Sequence, residues 1–263
     1  MSALYEELAA SSLEQLGMHT AKDALDQVAQ RAAAENWSYS HFLGYLLSAE
    51  TSARQTKAVA LNLQFARFPY TKRVEHFDFA AQPSLDRRLV DELFTGRFLS
   101  EGRNVVLLGP PGVGKTHLAI ALGVMTAEKG YRVSFTTAAD LARKLTTAMA
   151  ENRLGRILNA FGQPTLLIID EVGYLSLEPA EASLLFQVIA RRYDKDQSIV
   201  LTSNKPFGEW AQIFAGDVVM ASAALDRMLH RCTVLNIRGD SYRLKERRKA
   251  GLLAAPTDPN SNE

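Results

Sequence analysis

Eight consecutive residues, Gly109-Pro110-Pro111-Gly112-Val113-Gly114-Lys115-Thr116, form a glycine-rich turn that closes on an ammonium and a hydroxyl. They match the phosphate-loop pattern at every fixed position. Glycines let successive backbone N–H groups turn inward around phosphate oxygens, and the helix that follows points its positive end at them. In that chemistry Lys115 neutralises the β- and γ-phosphates of ATP, and the Thr116 hydroxyl ligates magnesium. His117 comes next and is placed with the ATP-binding residues, packing or capping in the first helical turn. A chance Gly/Pro turn is the bland alternative; an apolar strand directly before and a helical segment directly after argue against it.

The second group is Leu166-Leu167-Ile168-Ile169-Asp170-Glu171, an apolar run that ends in two acids. Ligands gather at the carboxyl ends of parallel strands. There Asp170 is expected to hold magnesium and Glu171 to polarise the attacking water. The third is Ser198 to Asn204, another apolar strand, ending in Thr-Ser-Asn. Asn204 could orient water near the γ-phosphate, or simply form the turn before Lys205-Pro206. The fourth is Leu225 to Arg231. Arg227 is a candidate arginine finger for a neighbouring subunit, although spacing alone favours a surface arginine that pairs with Asp226 or caps its helix. Arg243, after Ser241-Tyr242, could sense nucleotide, bind a DNA phosphate or be solvated, and nothing local decides. No histidine shows metal-ligand spacing.

These residues need elements to position them. From Ser84 onward, short apolar strands at 105–108, 132–136, 166–169, 199–202 and 233–237 alternate with helices near 117–129, 138–150, 153–161, 178–193 and 218–231. Apolar strands without polar alternation imply a parallel sheet buried on both faces, hence a three-layer α/β domain. Upstream the pattern is helical. Thr20 is expected to cap a helix ending at Asn36, and Ser38 to cap a longer one that stops at Phe68-Pro69. The expected organisation is a helical N-terminal domain (1–68), a linker (69–83), a P-loop domain (84–250) and a disordered tail (251–263) rich in Pro, Asn and Asp. There is no internal repeat.

The chain has 263 residues, 47% hydrophobic and 22% charged, with a net charge of +1. Its distribution is uneven. Residues 1–53 hold seven acids against Lys22 and Arg31, whereas 54–73 holds five bases and no acid, and 238–249 holds six bases against two acids. The single Cys232 reads as a small filler on a buried strand and fits a reducing compartment. No apolar run approaches the roughly 20 residues of a membrane span. Met1 to Ala10 lacks the form of a signal peptide, so a cytoplasmic protein without a membrane partner is expected.

Taken together the chain resembles the IstB-type transposition helper ATPases, relatives of DnaC helicase loaders and DnaA initiators in the AAA+ class. The resemblance is carried by Arg67-Phe68-Pro69-Tyr70-Thr71-Lys72, Phe77-Asp78-Phe79, Gln82-Pro83-Ser84-Leu85-Asp86, the phosphate loop, Ile168 to Gly173, Thr202 to Asn204 and Leu225 to Arg231. It spans about residues 1–250. It implies a five-stranded sheet in the order 5-1-4-3-2, with Asn204 as sensor between the two loops and Arg227 as the finger. It implies a helical insertion over 138–161 that touches DNA, with Arg143, Lys144, Arg153 and Arg156, and adenine contacts from 77–85. It further implies assembly with ATP on double-stranded DNA and a partner transposase from the same mobile element. Such DNA contacts would give salt-sensitive, sequence-tolerant affinity. Two other functions stay open beside it: a helicase loader of DnaC type, and a nucleotide-gated interaction module with negligible turnover.

Overall fold

A computed structural model describes residues 2–239 and 241–242. The expected tail, Arg243 and most of the basic segment 238–249 lie outside the described residues. The chain divides into two compact units, with the boundary between Leu61 and Asn62.

The first unit holds α1 (Ser2–Gln15), α2 (His19–Ala34) and most of α3 (Tyr39–Ala66). Ala21, Leu25, Val28 and Leu46 are buried together, with Leu13, Trp37 and Phe42 packed around them. Ser38 caps α3 as expected, its Oγ accepting the His41 N–H at 3.2 Å. Asn36 ends the preceding turn at a left-handed φ of 52°. The expected Thr20 cap is corrected, because Thr20 lies inside α2, which starts a residue earlier after Met18. Its free N–H groups are served from α3 instead: buried Glu50 accepts the Ala21 N–H at 3.1 Å and is held by Arg54 Nε at 2.7 Å. A carboxylate at a helix N-terminus satisfies both a donor and the helix dipole.

In the second unit α3 ends at Ala66, Arg67 takes φ 59°, and Pro69 follows. Two 3-10 turns (Val74–His76 and Phe79–Ala81) lead to α4 (Arg87–Phe94), capped by Asp86, and to the short α5 (Arg97–Ser100). Five strands and six helices then alternate: β1 (Asn104–Leu108), α6 (Lys115–Glu128), β2 (Val133–Thr137), α7 (Ala138–Ala150), α8 (Leu154–Phe161), β3 (Leu166–Val172), α9 (Pro179–Tyr193), β4 (Ser198–Ser203), α10 (Trp210–Ile213), α11 (Val218–Leu229) and β5 (Cys232–Asn236). The strands form one all-parallel sheet in the order β2-β3-β4-β1-β5, the arrangement implied by the resemblance.

Side-chain alternation sends Val105, Leu107, Ile168 and Val200 to the α4–α6 face, and Val106, Leu108, Ile169 and Leu201 to the face covered by α7–α11. The result is the three-layer α/β architecture of the AAA+ P-loop fold. Because all strands run the same way, their carboxyl ends lie at one edge, and β4 stands between β1 and β3 there.

Candidate nucleotide and magnesium site

The phosphate loop leaves β1 at Leu108 and enters α6 at Lys115. Gly112 and Gly114 take φ of 87° and 99°, a region costly for any residue with a Cβ. Space is equally tight: a Cβ at Gly114 would lie 2.6 Å from Phe77 Cε2, and one at Gly112 would lie 2.1 Å from Ser241 Oγ. The loop is therefore clamped from outside. Its hold continues through the Tyr242 N–H, which donates to Gly112 O at 3.0 Å. Lys115 Nζ donates to Gly109 O and Pro110 O at 2.7 and 2.8 Å, so its ammonium is folded over the loop, where phosphate oxygens are the stronger acceptors.

Asp170 ends the apolar part of β3 and is 3% exposed. Its Oδ1 accepts the Thr116 hydroxyl at 3.0 Å, bringing together the two residues expected at the metal. With the Thr116 proton turned to the carboxylate, the lone pairs of Thr116 are left for a cation. Two hard oxygen donors from two elements, beside a triphosphate loop, fit magnesium, which binds through few protein ligands and keeps phosphate and water as the others.

Glu171 is aimed by a bulge. Ile169 pairs with Leu201 and Val172 with Ser203, so Asp170 and Glu171 together stand opposite Thr202 alone. The extra residue puts Glu171 at φ 60° with an exposed side chain, while Asp170 stays buried. Adjacent acids on a regular strand would point to opposite faces; the bulge brings both to the loop edge.

Two cavities flank Thr116. One, of about 300 Å³, is lined by Tyr70, Lys72, His76, Phe77, Asp78, Gln82 and Tyr242 around Gly112–His117. The other, of about 460 Å³, lies between Thr116, Asp170 and Glu171 and is bordered by Arg67, Tyr70, Thr137, Asp140 and Lys144. His117 lines the first cavity. It also bonds the Arg73 carbonyl at 2.9 Å and meets Phe77 edge-on at 5.3 Å between centroids.

Asn204 follows β4 at the carboxyl edge, between the ends of β1 and β3, and is exposed. Arg227 lies at the opposite edge. It sits in the last turn of α11, before β5, whose first residue Cys232 pairs with Asn104 at the start of β1. The length of β1 separates it from the loop of its own chain, roughly 15 Å at ~3.3 Å per residue. There Nη1 donates to Ala223 O at 3.0 Å, one turn back along α11, and the guanidinium lies 5.0 Å from the Phe186 ring centroid. Buried Asn104 anchors the helix end, donating to Met228 O and accepting the Ile199 N–H. Cys232 is half-buried and burial pushes its thiol up to about 12, which makes it an inert filler.

Of the four residues expected at DNA, Arg143 pairs with Asp140 at 2.6 Å and Arg153 pairs with Glu151. Arg156 is exposed on α8, and Lys144 borders the cavity of Asp170 and Glu171. The residues that sequence reasoning missed are Thr202 and the Tyr70–Lys72 wall. Thr202 Oγ1 lies 2.5 Å from the same Asp170 oxygen. The signal available for it was its place two residues before Asn204 on a strand that had to lie between the other two.

A family model described as IstB-like ATP binding protein matches residues 11–250. A protein of insertion sequence IS5376 in Geobacillus stearothermophilus, named for ATP binding, is 48% identical over 84% of this chain and 87% of its own length. Its counterpart from insertion sequence IS21 in Pseudomonas aeruginosa is 46% identical over 95% of this chain and 94% of its own. Among solved structures, a replication initiator DnaA bound to AMPPCP and single-stranded DNA superposes with a TM-score of 0.55 at 22% identity, covering 73% of this chain and 58% of that one. DnaI superposes with a TM-score of 0.53 at 17% identity, covering 66% and 93%. These two are likenesses of fold. No helix among the described residues is long and apolar enough to cross a membrane.

Proposed function

The chain belongs to the family of IstB-like ATP binding proteins and carries the AAA+ P-loop ATPase fold, and from that premise we propose a magnesium-dependent, DNA-directed ATPase that serves transposition. In this reading ATP lies along the Gly109–Thr116 loop, with its base in the cavity of Tyr70, Phe77 and Gln82. Lys115 holds the β- and γ-phosphates. Thr116 and Asp170 hold magnesium, whose charge offsets that of the phosphates. Glu171 takes the proton of the attacking water, and Asn204 orients that water from the end of β4. In this reading the protein acts in the cytoplasm.

The observation that carries the reading is the convergence of Thr116, Asp170 and Glu171 at one sheet edge, with the Thr116 and Asp170 oxygens 3.0 Å apart. Arg227 supports self-association. It lies at the far edge of its own sheet from the phosphate loop, so in this reading the γ-phosphate it serves is one held by another copy. The kinship with insertion-sequence proteins at 48% and 46% identity supports a transposase as partner over a helicase. In this reading the assembled protein marks target DNA and recruits or activates the transposase of the same element. Arg143, Lys144, Arg153 and Arg156 then face duplex DNA. The ion pairs of Arg143 and Arg153 are exposed and of small worth, so phosphates can replace the acids.

The test is phosphate release with and without duplex DNA, alongside electron microscopy with a non-hydrolysable nucleotide. The reading expects DNA-stimulated turnover, its loss by about 10²-fold or more in Glu171→Gln, and ordered assemblies on DNA. Turnover unaffected by Glu171→Gln would remove the catalytic assignment. Capture of a replicative helicase but no transposase would favour the loader.

A further inference from the structure

Thr202 joins the two acids to each other. It is 1% exposed on β4. Its hydroxyl donates to Asp170 Oδ1 at 2.5 Å and accepts the Glu171 N–H at 3.0 Å. Asp170 Oδ1 also accepts from Thr116 at 3.0 Å. A hydroxyl has one proton and lone pairs to spare, so this arrangement uses Thr202 in both senses at once. Each half has a consequence. The bond to Asp170 fixes one carboxylate oxygen between two hydroxyls and so orients the group. The bond from Glu171 gives a side-chain acceptor to an N–H inside the bulge, at a residue whose left-handed φ needs outside support.

We propose that Thr202 is a positioning residue for catalysis: its hydroxyl sets the Asp170 carboxylate for the metal and holds the bulge that aims Glu171 at the attacking water. The proposal rests on the magnesium-dependent ATPase reading above. Thr202 is buried beneath the two acids. It acts through the two acids, and through Asp170 it links β4, the strand before Asn204, to Thr116 of the loop. A valine there keeps the shape and the buried methyl but leaves the Glu171 N–H unanswered and one side of Asp170 without a donor.

The experiment compares wild type, Thr202→Val and Thr202→Ser for Mg²⁺-dependent binding of a fluorescent, non-hydrolysable ATP analogue and for steady-state hydrolysis. Binding without Mg²⁺ should agree within about twofold among the three, since Lys115 and the glycine loop are untouched. For Thr202→Val the half-saturating Mg²⁺ should rise about tenfold and kcat should fall 10- to 100-fold with KM for ATP little changed, the size expected when a hydrogen bond to a charged group is lost. Thr202→Ser should return both to within about threefold. In an Asp170→Asn background, Thr202→Val should add no further shift in Mg²⁺ dependence.

Wild-type Mg²⁺ dependence and kcat in folded Thr202→Val would overturn the proposal, as would a serine variant as impaired as valine. Should the valine variant fail to fold, Thr202→Ala carries the same expectations. Should the wild type bind Mg²⁺ and nucleotide without turnover, the hydrolysis reading fails by itself, and the shift in Mg²⁺ half-saturation still decides the role of Thr202 at Asp170.

Discussion

His117 Nε2 lies 2.9 Å from the carbonyl oxygen of Arg73, which ties the first turn of α6 to the segment leading into the sheet. Burial holds its pKa below the ordinary 6.5, the nearby Lys72 and His76 push the same way, and the Arg73 carbonyl opposes them. A base with a depressed pKa in the fold is bound by fewer protons there than in the unfolded chain. Its contribution is thus complete above pH 6.5 and is lost as pH falls below it. The melting temperature of the wild type should therefore drop more steeply from pH 7.5 to 5.5 than that of His117→Gln. Parallel curves would show that His117 contributes nothing to the pH dependence.

Arg192 on α9 is 0% exposed and makes no ion pair among the described residues. Its guanidinium donates to the carbonyls of Phe161, Pro164, Thr165 and Ser198 at 2.6 to 3.1 Å, closing the turn before β3 onto the start of β4. Burial pushes its pKa down to about 9, so it is charged at neutral pH. Arg192→Met leaves those carbonyls unanswered and should cost about 3–5 kcal/mol. In a unit of this size that is a fall in Tm of about 10 °C. Lysine should not rescue it, because one ammonium cannot span the fork. A Tm within about 2 °C of wild type would contradict this account.

Arg227→Ala should bind nucleotide as wild type does and lose most hydrolysis in the assembled state, since a finger given in trans contributes about 10³-fold or more to rate. Mixing it with Lys115→Ala should recover activity, because one pairing of the two variants joins an intact loop to an intact finger. Full activity of Arg227→Ala alone would reject the trans role.

For the helical insertion, the measurement is the salt dependence of duplex binding. Removing Arg143, Lys144, Arg153 or Arg156 should lower the slope of log affinity against log salt by about 1 each and weaken all sequences alike. An unchanged slope for all four would place the DNA surface elsewhere.

The phosphate loop and the Asp170-Glu171 pair were legible because their chemistry is written at fixed spacing along the chain. The parallel sheet was legible from apolar runs without alternation, to within a residue or two at strand ends; β3 is the exception, running three residues further, through the bulge. The bulge itself was hidden, since it exists only in the pairing of β3 with β4. Thr202 was hidden with it, as an ordinary β-branched residue on a buried strand. The Glu50 cap of α2 and the Arg192 clasp were illegible for a related reason: each serves backbone groups distant in sequence, about which side-chain pattern is silent. The short helices α4 and α5 were passed over, although Asp86 gives a sound capping signal.

The central claim is that the Gly109–Thr116 loop takes up ATP with magnesium through Lys115. Isothermal calorimetry of the full chain with a non-hydrolysable ATP analogue and Mg²⁺ tests it directly. The expected result is one site per chain whose affinity falls at least tenfold in Lys115→Ala, a loss of about 1.4 kcal/mol or more. No measurable uptake by the wild type, or equal affinity in the two proteins, would contradict it.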